Sequence, residues 1–283
     1  MIKDADGSQL AAVDSLTRSL DMGIYLVVAD RFEVFSKQRN VLTSSALRQS
    51  LGGRGVVQLK GSRFVAGQGL SSEQIDQLHD MALELGYVEE FRHWRAWAEQ
   101  EPASVRLSHK RKKQNVLIST PERRGDVFVA GLLLDANNEL MLDHLTGQHV
   151  QGMVLTEACR QMFLAVTERF HLADFQSVER YFVLNEMAMR FLAFAFPLPA
   201  EIRYRLLEMT QPRPDRVDVH ADMEVWQGEQ AVAGMTVRFS VMDAKLIGVR
   251  ECRLAASALA AQLQWLRRRL GIVPVENALG VNL

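Results

Sequence analysis

Hydrophobic and polar residues alternate along two neighbouring stretches in the second half of the chain, residues 217–225 and residues 231–241. Alternation with a period of two residues is typical of a β-strand with one buried face. Gly228 lies in the short link between the two stretches, so we expect them to form a β-hairpin. Residues 201–210 also alternate, whereas the mostly apolar residues 182–196 suit either a strand with a bulge or a short helix.

Residues 153–166 have the pattern of a helix, and apolar residues occupy most of its faces. A helix that is apolar nearly all round is expected to be buried. Glu157, Arg160 and Gln161 interrupt the pattern, and their spacing of three and four residues places them on one helical face. A buried carboxylate costs several kcal/mol unless it is paired. We therefore expect either an ion pair between Glu157 and Arg160 that fixes how the helix packs, or a small-molecule pocket on this face.

The first hundred residues are predicted to form an α+β accessory domain, residues 1–100, which ends near Pro102. Ser71 and Gln74 form a capping-box pattern at the start of a helix that Gly86 closes. The other predicted elements are strands at residues 23–29, 56–59 and 63–66, a helix at residues 44–51, and a helical continuation over residues 88–100.

Residues 253–270 have the strongest helix propensity in the chain. Leucines at positions 259, 263, 266 and 270 form a stripe along one side of this helix. Such a stripe most often contacts a core, and it can also pack on a second subunit. Residues 253–283 are therefore predicted to be a C-terminal helix followed by a tail.

Composition restricts the class of protein further. The 283 residues carry a formal net charge of −1, which does not favour a nucleic-acid or membrane-surface protein. The two cysteines, Cys159 and Cys252, form no disulfide framework, and Cys159 lies in the apolar helix, where a reduced core thiol is expected. The N-terminal residues lack the apolar core of a signal peptide, so we expect a cytoplasmic protein.

Candidate chemistry gathers just before the buried helix. His144 and His149 precede it and Gly152 opens it, so an imidazole and the Glu157 carboxylate can be placed around one pocket. The basic residues 109–113 most often mark a solvated face. They could instead bind the acidic surface of a partner protein or the phosphate of a small phosphorylated substrate. Nucleic-acid binding is the weakest alternative, because no further basic or aromatic pattern accompanies the run. No metal site is predicted.

These residues resemble a known family. HKRKKQNVLIS (residues 109–119), DVFVA (residues 126–130), the histidine loop and EACRQ (residues 157–161) are similar to the A-factor biosynthesis hotdog family. The resemblance covers roughly residues 105–260. It implies an α+β hotdog fold, in which an antiparallel sheet wraps around a long central helix, and it makes residues 182–196 a strand.

The resemblance also implies a function, the transfer of a β-ketoacyl group from a thioester to the hydroxyl of dihydroxyacetone phosphate in the synthesis of a signalling molecule. The thioester would be carried by acyl carrier protein or coenzyme A, with no further cofactor. The basic run could then bind the acidic surface or the phosphopantetheine phosphate of the carrier protein. Glu157, His144 and His149 would be catalytic. The residues implied in substrate binding are Arg160, Gln161, Gly152, His109 and Lys110.

Two alternatives come from the wider hotdog superfamily, a dehydratase or thioesterase and a non-catalytic acyl-binding module. Hotdog dehydratases carry a similar loop histidine, glycine and E-A-x-x-Q helix, but their histidine lies fourteen residues before the glutamate. Here His144 lies thirteen residues before Glu157, and the loop prolines are missing, which argues against a plain dehydratase.

The streptomycete members of the family contain two hotdog units, whereas one is recognisable here. We therefore expect a homodimer that shares one sheet. The alternative is that the first hundred residues are a degenerate second unit, although only residues 46–49 echo the end of the helix motif.

Overall fold

The computed structural model describes residues 23–55, 57–97, 100–142, 147–172 and 179–271. The N-terminal region contains a three-stranded parallel sheet in the order β2-β1-β3. The strands are β1 (Ile24–Val28), β2 (Val41–Thr43) and β3 (Arg63–Ala66), and the helices are α1 (Ser44–Leu51) and α2 (Ser72–Glu84).

The capping box at Ser71 and Gln74 is confirmed at the start of α2, since both reciprocal hydrogen bonds are formed. Two other predictions for this region were wrong. Residues 57–59 form no strand (Val56 lies outside the described residues), and residues 88–97 form turns rather than a helix. Trp94 explains the second error, because it is fully buried, donates its indole N–H to the Ile75 carbonyl at 2.9 Å, and accepts the Ala66 N–H at its own carbonyl. These tertiary bonds outweigh local helix propensity.

A six-stranded antiparallel sheet dominates the rest of the chain, in the order β4-β5-β7-β8-β9-β6. The β8–β9 hairpin is confirmed, and Gly228 supplies a turn residue with φ of +59°. β6 is a strand with a register shift between Leu184 and Glu186, the bulged strand that was one of two alternatives. The strands are β4 (Glu122–Arg124), β5 (Val127–Gly131), β6 (Arg180–Phe191), β7 (Glu201–Arg213), β8 (Arg216–Gln227) and β9 (Gln230–Asp243).

The central helix, α4 (Gly152–Val166), follows the short helix α3 (Glu139–Leu142) and packs against β6, β7, β8 and β9. Eleven of its residues are buried, as its apolar pattern predicts, and the Phe163 ring stacks on Phe239 of β9 at 4.7 Å. The α+β prediction of an antiparallel sheet around a long helix is therefore confirmed. Residues 116–119 form no regular strand and pair only through isolated bridges at Ile118 and Ser119.

Gln68 joins the N-terminal region to this sheet domain. Its buried amide donates to the Leu132 carbonyl at 2.6 Å and accepts the Leu134 N–H at 2.8 Å. Gly69 continues the contact by bonding to Leu134 and Ala136. Because the N-terminal sheet is parallel and three-stranded, the described part of this region is not a second hotdog unit.

The C-terminal helix, α5 (Ala244–Leu270), begins earlier than the predicted residue 253, because Asp243 caps it through bonds from the N–H groups of Lys245 and Leu246. Gly271, with φ of +65°, ends it. Within the described residues, no helix is both long and apolar enough to cross a membrane.

Candidate active site

The Glu157 carboxylate lies at the centre of a polar cluster on the otherwise apolar α4. Arg160 donates two hydrogen bonds to it, from Nε to Oε2 at 2.7 Å and from Nη2 to Oε1 at 2.9 Å. Lys110 approaches from outside the helix, with its Nζ 2.6 Å from Oε1 of Glu157. Gln161 adds a bond of 3.1 Å from its Nε2. The predicted Glu157–Arg160 ion pair is therefore present, and a second cation shares the carboxylate.

These partners decide the charge of Glu157. Burial alone would raise the pKa of the carboxyl group, but the hydrogen bonds from Arg160 and Lys110 outweigh it and lower the pKa below its ordinary value. Glu157 is therefore ionised at neutral pH. A carboxylate with a lowered pKa and two cationic partners is a weak proton acceptor and a strong orienting group.

Gln161 connects the two sequence motifs. It is fully buried, its Oε1 accepts the Leu117 N–H at 2.8 Å, and its Nε2 donates to the Asn115 carbonyl at 2.8 Å. Its amide thus holds the segment that follows the basic run against α4. Each hydrogen-bonding group of this side chain has a protein partner.

A basic cleft of about 620 Å³ opens next to this cluster. His109 lies in it with φ of +52°, a left-handed conformation that is uncommon for a residue other than glycine. Its Nε2 is 3.7 Å from Oε1 of Glu168, and Arg180 Nη1 bonds Oε2 of Glu168 at 2.6 Å. Burial would raise the pKa of Glu168, but His109 and Arg180 outweigh it and lower the pKa. The cleft residues are Val105, Arg106, His109, Lys110, Arg111, Glu168 and Arg180.

The start of α4 forms a second locus. The backbone of Gly152 approaches Phe191 so closely that an added Cβ would lie 2.7 Å from its ring, so a larger residue here would displace that ring. His149 lies just before the helix, with its ring centroid 5.1 Å from that of Phe194. Phe191 and Phe194 are 57% and 69% exposed, so the helix entrance is an open apolar surface.

The predicted site residues therefore fall into two groups. Lys110, Glu157, Arg160 and Gln161 are brought into direct contact, with His109 in the adjoining cleft, whereas His149 and Gly152 lie at the helix entrance. His144 falls outside the described residues.

Sequence reasoning missed four residues of the cleft, Val105, Arg106, Glu168 and Arg180. Glu168 lies eleven residues after Glu157, which returns to nearly the same face of a helix, so this spacing was an available signal. No sequence signal pointed to Arg180, because only the fold places it beside Glu168. Cys159 is a buried free thiol, and burial raises its pKa to about 12, which keeps it protonated.

The model of the A-factor biosynthesis hotdog domain (AfsA) matches residues 98–243, which is more than half of the chain. The chain therefore belongs to the A-factor biosynthesis hotdog family, within a fold group whose members generally process acyl thioesters. No curated protein matches it.

Several solved structures are similar in part to this chain. A conserved protein from Pseudomonas aeruginosa is 20% identical, with a TM-score of 0.32, and the match covers 43% of this chain and 86% of that chain. A putative thioesterase from Shewanella oneidensis is 16% identical, with a TM-score of 0.33 and coverages of 44% and 82%. A mutant thioesterase from Pseudomonas aeruginosa is 13% identical, with a TM-score of 0.37 and coverages of 51% and 96%.

Proposed function

We propose that this protein is an acyltransferase that moves a β-ketoacyl group from a carrier-protein or coenzyme A thioester to a small phosphorylated alcohol such as dihydroxyacetone phosphate. The product would enter the synthesis of a signalling molecule or another secondary metabolite. The observation that carries the proposal is the contact of Lys110 with the Glu157 carboxylate, which Arg160 also bonds, because there the two motifs of the family meet beside a basic cleft.

In the proposed reaction the acceptor hydroxyl oxygen attacks the thioester carbonyl carbon. The carbon–sulfur bond breaks, and the thiol leaves with the proton that the hydroxyl gave up. Negative charge develops on the carbonyl oxygen, and the N–H groups at the start of α4, together with the helix dipole, are suited to stabilise it. His149 is our candidate for moving the proton, and His144 stays a second candidate from the sequence.

Glu157 has an orienting role in this proposal. Because its carboxylate is ionised and bonded by Lys110 and Arg160, it is better suited to hold these two cations at the edge of the cleft than to accept a proton. Arg160 and Lys110 would then act on the acceptor from fixed positions.

The charge of the cleft favours a phosphorylated acceptor. Arg106, Lys110, Arg111 and Arg180 bring four cationic side chains to the cleft, against the two carboxylates of Glu157 and Glu168, which pair with Lys110 and Arg180. An excess of guanidinium and ammonium groups is the usual protein environment of a phosphate dianion. The same charges suit the phosphate of phosphopantetheine.

The apolar helix entrance is the proposed location of the acyl chain. Phe191, Phe194 and Met153 expose more than half of their surface there. A short acyl chain bound on these side chains would place its thioester near the first N–H groups of α4, so one arrangement serves both binding and carbonyl polarisation.

Homodimerisation through β6 is part of the proposal. β6 is the last strand of the six-stranded sheet and pairs with β9 on one side only among the described strands. A twelve-residue edge strand with exposed apolar side chains is prone to pair with another strand. Its exposed apolar residues are Tyr181, Leu184, Met187 and Phe191. Pairing of two β6 strands would give the shared sheet.

The experiment that tests the proposed site is release of free thiol from a β-ketoacyl thioester in the presence of dihydroxyacetone phosphate. We expect Lys110→Met to slow the release about 100-fold, since a close cationic contact contributes about 1.5–3 kcal/mol. Lys112→Met is the matched control, because Lys112 belongs to the same basic run but pairs with Glu139 at the surface. Equal rates for both variants would refute the assignment of Lys110.

A further inference from the structure

Helix α5 leaves the sheet domain with almost no contacts along its length. It spans 27 residues, about 40 Å at 1.5 Å per residue, and Ile247 is its only buried residue. It touches β6 and β9 near its start, where Tyr181 of β6 donates a hydrogen bond of 2.7 Å to Glu251. Beyond Leu254 the helix projects away from the rest of the described chain, although it carries many apolar side chains.

The spacing of those apolar side chains along α5 indicates that their partner is another helix. Seven residues of α5 follow one another at intervals of three and four, an average period of 3.5 residues. This period keeps one stripe facing a second helix in a supercoil, whereas a helix that packs on a sheet needs no such regular seam. The stripe consists of Val249, Cys252, Ala256, Leu259, Leu263, Leu266 and Leu270.

Side-chain size divides the stripe into two halves. Its N-terminal positions, Val249, Cys252 and Ala256, are smaller than the four leucines that follow. We propose that the stripe binds the α5 helix of a second copy of this chain in the antiparallel direction. Such pairing places a small residue against a leucine in every layer between Val249 and Leu266, because Val249 meets Leu266, Cys252 meets Leu263 and Ala256 meets Leu259 of the second copy. A parallel pair would place alanine against alanine and leave gaps.

The arginines beside the stripe are compatible with this register. Antiparallel helices bring equivalent flanking positions together. Arg253 then faces Ala260 of the second copy, Arg267 faces Leu246, and Arg269 faces Gly248. No arginine faces another arginine, so the pairing carries no like-charge contact at its flanks.

The direction also agrees with the edge strand. The start of β6 is in register with the end of β9, since Arg180 pairs with Asp243, so β6 and α5 begin at the same end of the sheet. Two β6 strands that pair antiparallel would start their α5 helices at opposite ends of the shared strand pair. Each strand of twelve residues is about 40 Å long, close to the length of the helix. This step rests on the β6 dimer of the proposed function.

Disulfide cross-linking of the full-length protein tests the pairing. Cys252 is exposed and Cys159 is buried, so Cys252 is the reactive thiol. In Leu263→Cys, the new thiol of one copy would lie against Cys252 of the other, and mild oxidation should give covalent dimers. Within one helix these positions are eleven residues, about 16 Å, apart and cannot bridge. The wild type and the Cys252→Ser, Leu263→Cys variant should give no cross-link.

Sedimentation of two charge variants provides the second measurement. Leu259→Glu with Leu266→Glu should weaken the dimer about 100-fold, whereas Ser257→Glu with Gln264→Glu, the same charges on the opposite side of the helix, should leave it unchanged. Cross-links in the wild type would indicate a parallel pair and overturn the proposal. A monomeric Leu263→Cys protein without cross-links would also overturn it and point to a different helical partner, one with acidic residues against the arginines.

Failure of this inference and failure of the proposed function are distinguishable. A protein that cross-links through Leu263→Cys but consumes no thioester refutes the acyltransferase and keeps the helix pair. An active dimer that does not cross-link keeps the acyltransferase and refutes the helix pair.

Discussion

Gln161 in the buried helix accepts a 2.8 Å hydrogen bond from the backbone N–H of Leu117, forty-four residues earlier in the chain. The same amide donates to the carbonyl of Asn115, so one side chain holds an extended segment that lacks regular strand partners. This anchor explains how the basic run before Asn115 reaches the Glu157 carboxylate. Gln161 therefore positions the segment that carries Lys110, and the cations around Glu157 supply the positive charge of the site.

Replacing Gln161 should therefore reduce stability. In Gln161→Met the buried Leu117 N–H loses its acceptor, and we expect the free energy of unfolding to fall by about 2–3 kcal/mol. Urea denaturation measures the change. Gln264→Met, at an exposed position of α5, is the control and should change the value by less than about 0.5 kcal/mol. Similar losses for both variants would show that the anchor contributes nothing.

Removing the charge of Glu157 leaves Lys110 and Arg160 without their shared counter-ion. We expect Glu157→Gln to remain folded and to lose about 2 kcal/mol of unfolding free energy, since the group is mostly buried. Glu139→Gln is the matched control, because Glu139 also pairs with a lysine of the basic run but is half-exposed. Exposed pairs contribute little, so this control should differ from the wild type by under about 0.5 kcal/mol.

The lowered pKa of Glu157 predicts how that difference depends on pH. The carboxyl group takes up its proton at higher pH in the unfolded chain, near its ordinary value of 4.5, than in the folded protein. Its contribution to stability is therefore complete above that value and is lost as the pH falls through the lower, folded pKa. We expect the stability gap between wild type and Glu157→Gln to be constant near neutral pH and to shrink as the pH falls below about 4.5. A gap that widens on acidification would contradict the assigned sign.

Gln68 bonds the N-terminal region to the sheet domain, so we expect the two regions to unfold together. Gln68→Leu leaves the Leu132 carbonyl and the Leu134 N–H without this partner, and we expect a loss of about 2 kcal/mol, seen as one shifted unfolding transition. Gln77→Leu on the exposed side of α2 should leave the transition nearly unchanged. If Gln68→Leu showed two separate unfolding transitions, or an unfolding transition at the wild-type position, the two regions would unfold independently.

An element could be predicted from the sequence where its own pattern of apolar and polar residues shows which of its faces are buried. The β8–β9 hairpin and the apolar α4 follow from period-two alternation and an all-round apolar helix. Residues 88–97 could not be predicted, because their carbonyl groups bond to β3 and Trp94 fills the core below it. The same difference separates the two cationic partners of Glu157. Arg160 could be predicted from its helical spacing, whereas Lys110 is distant in sequence and reaches Glu157 only because Gln161 anchors the segment that follows it.

Mass spectrometry of the products shows whether the protein transfers an acyl group to a hydroxyl acceptor. Purified protein would be incubated with a β-ketoacyl thioester, with and without dihydroxyacetone phosphate. We predict a new ester, heavier than the acceptor by the acyl group, that forms only when both compounds and the protein are present. Free β-keto acid at equal rates with and without the acceptor would contradict acyl transfer and establish a thioesterase, and an enoyl product would establish a dehydratase. An unchanged thioester would leave an acyl-binding module as the function.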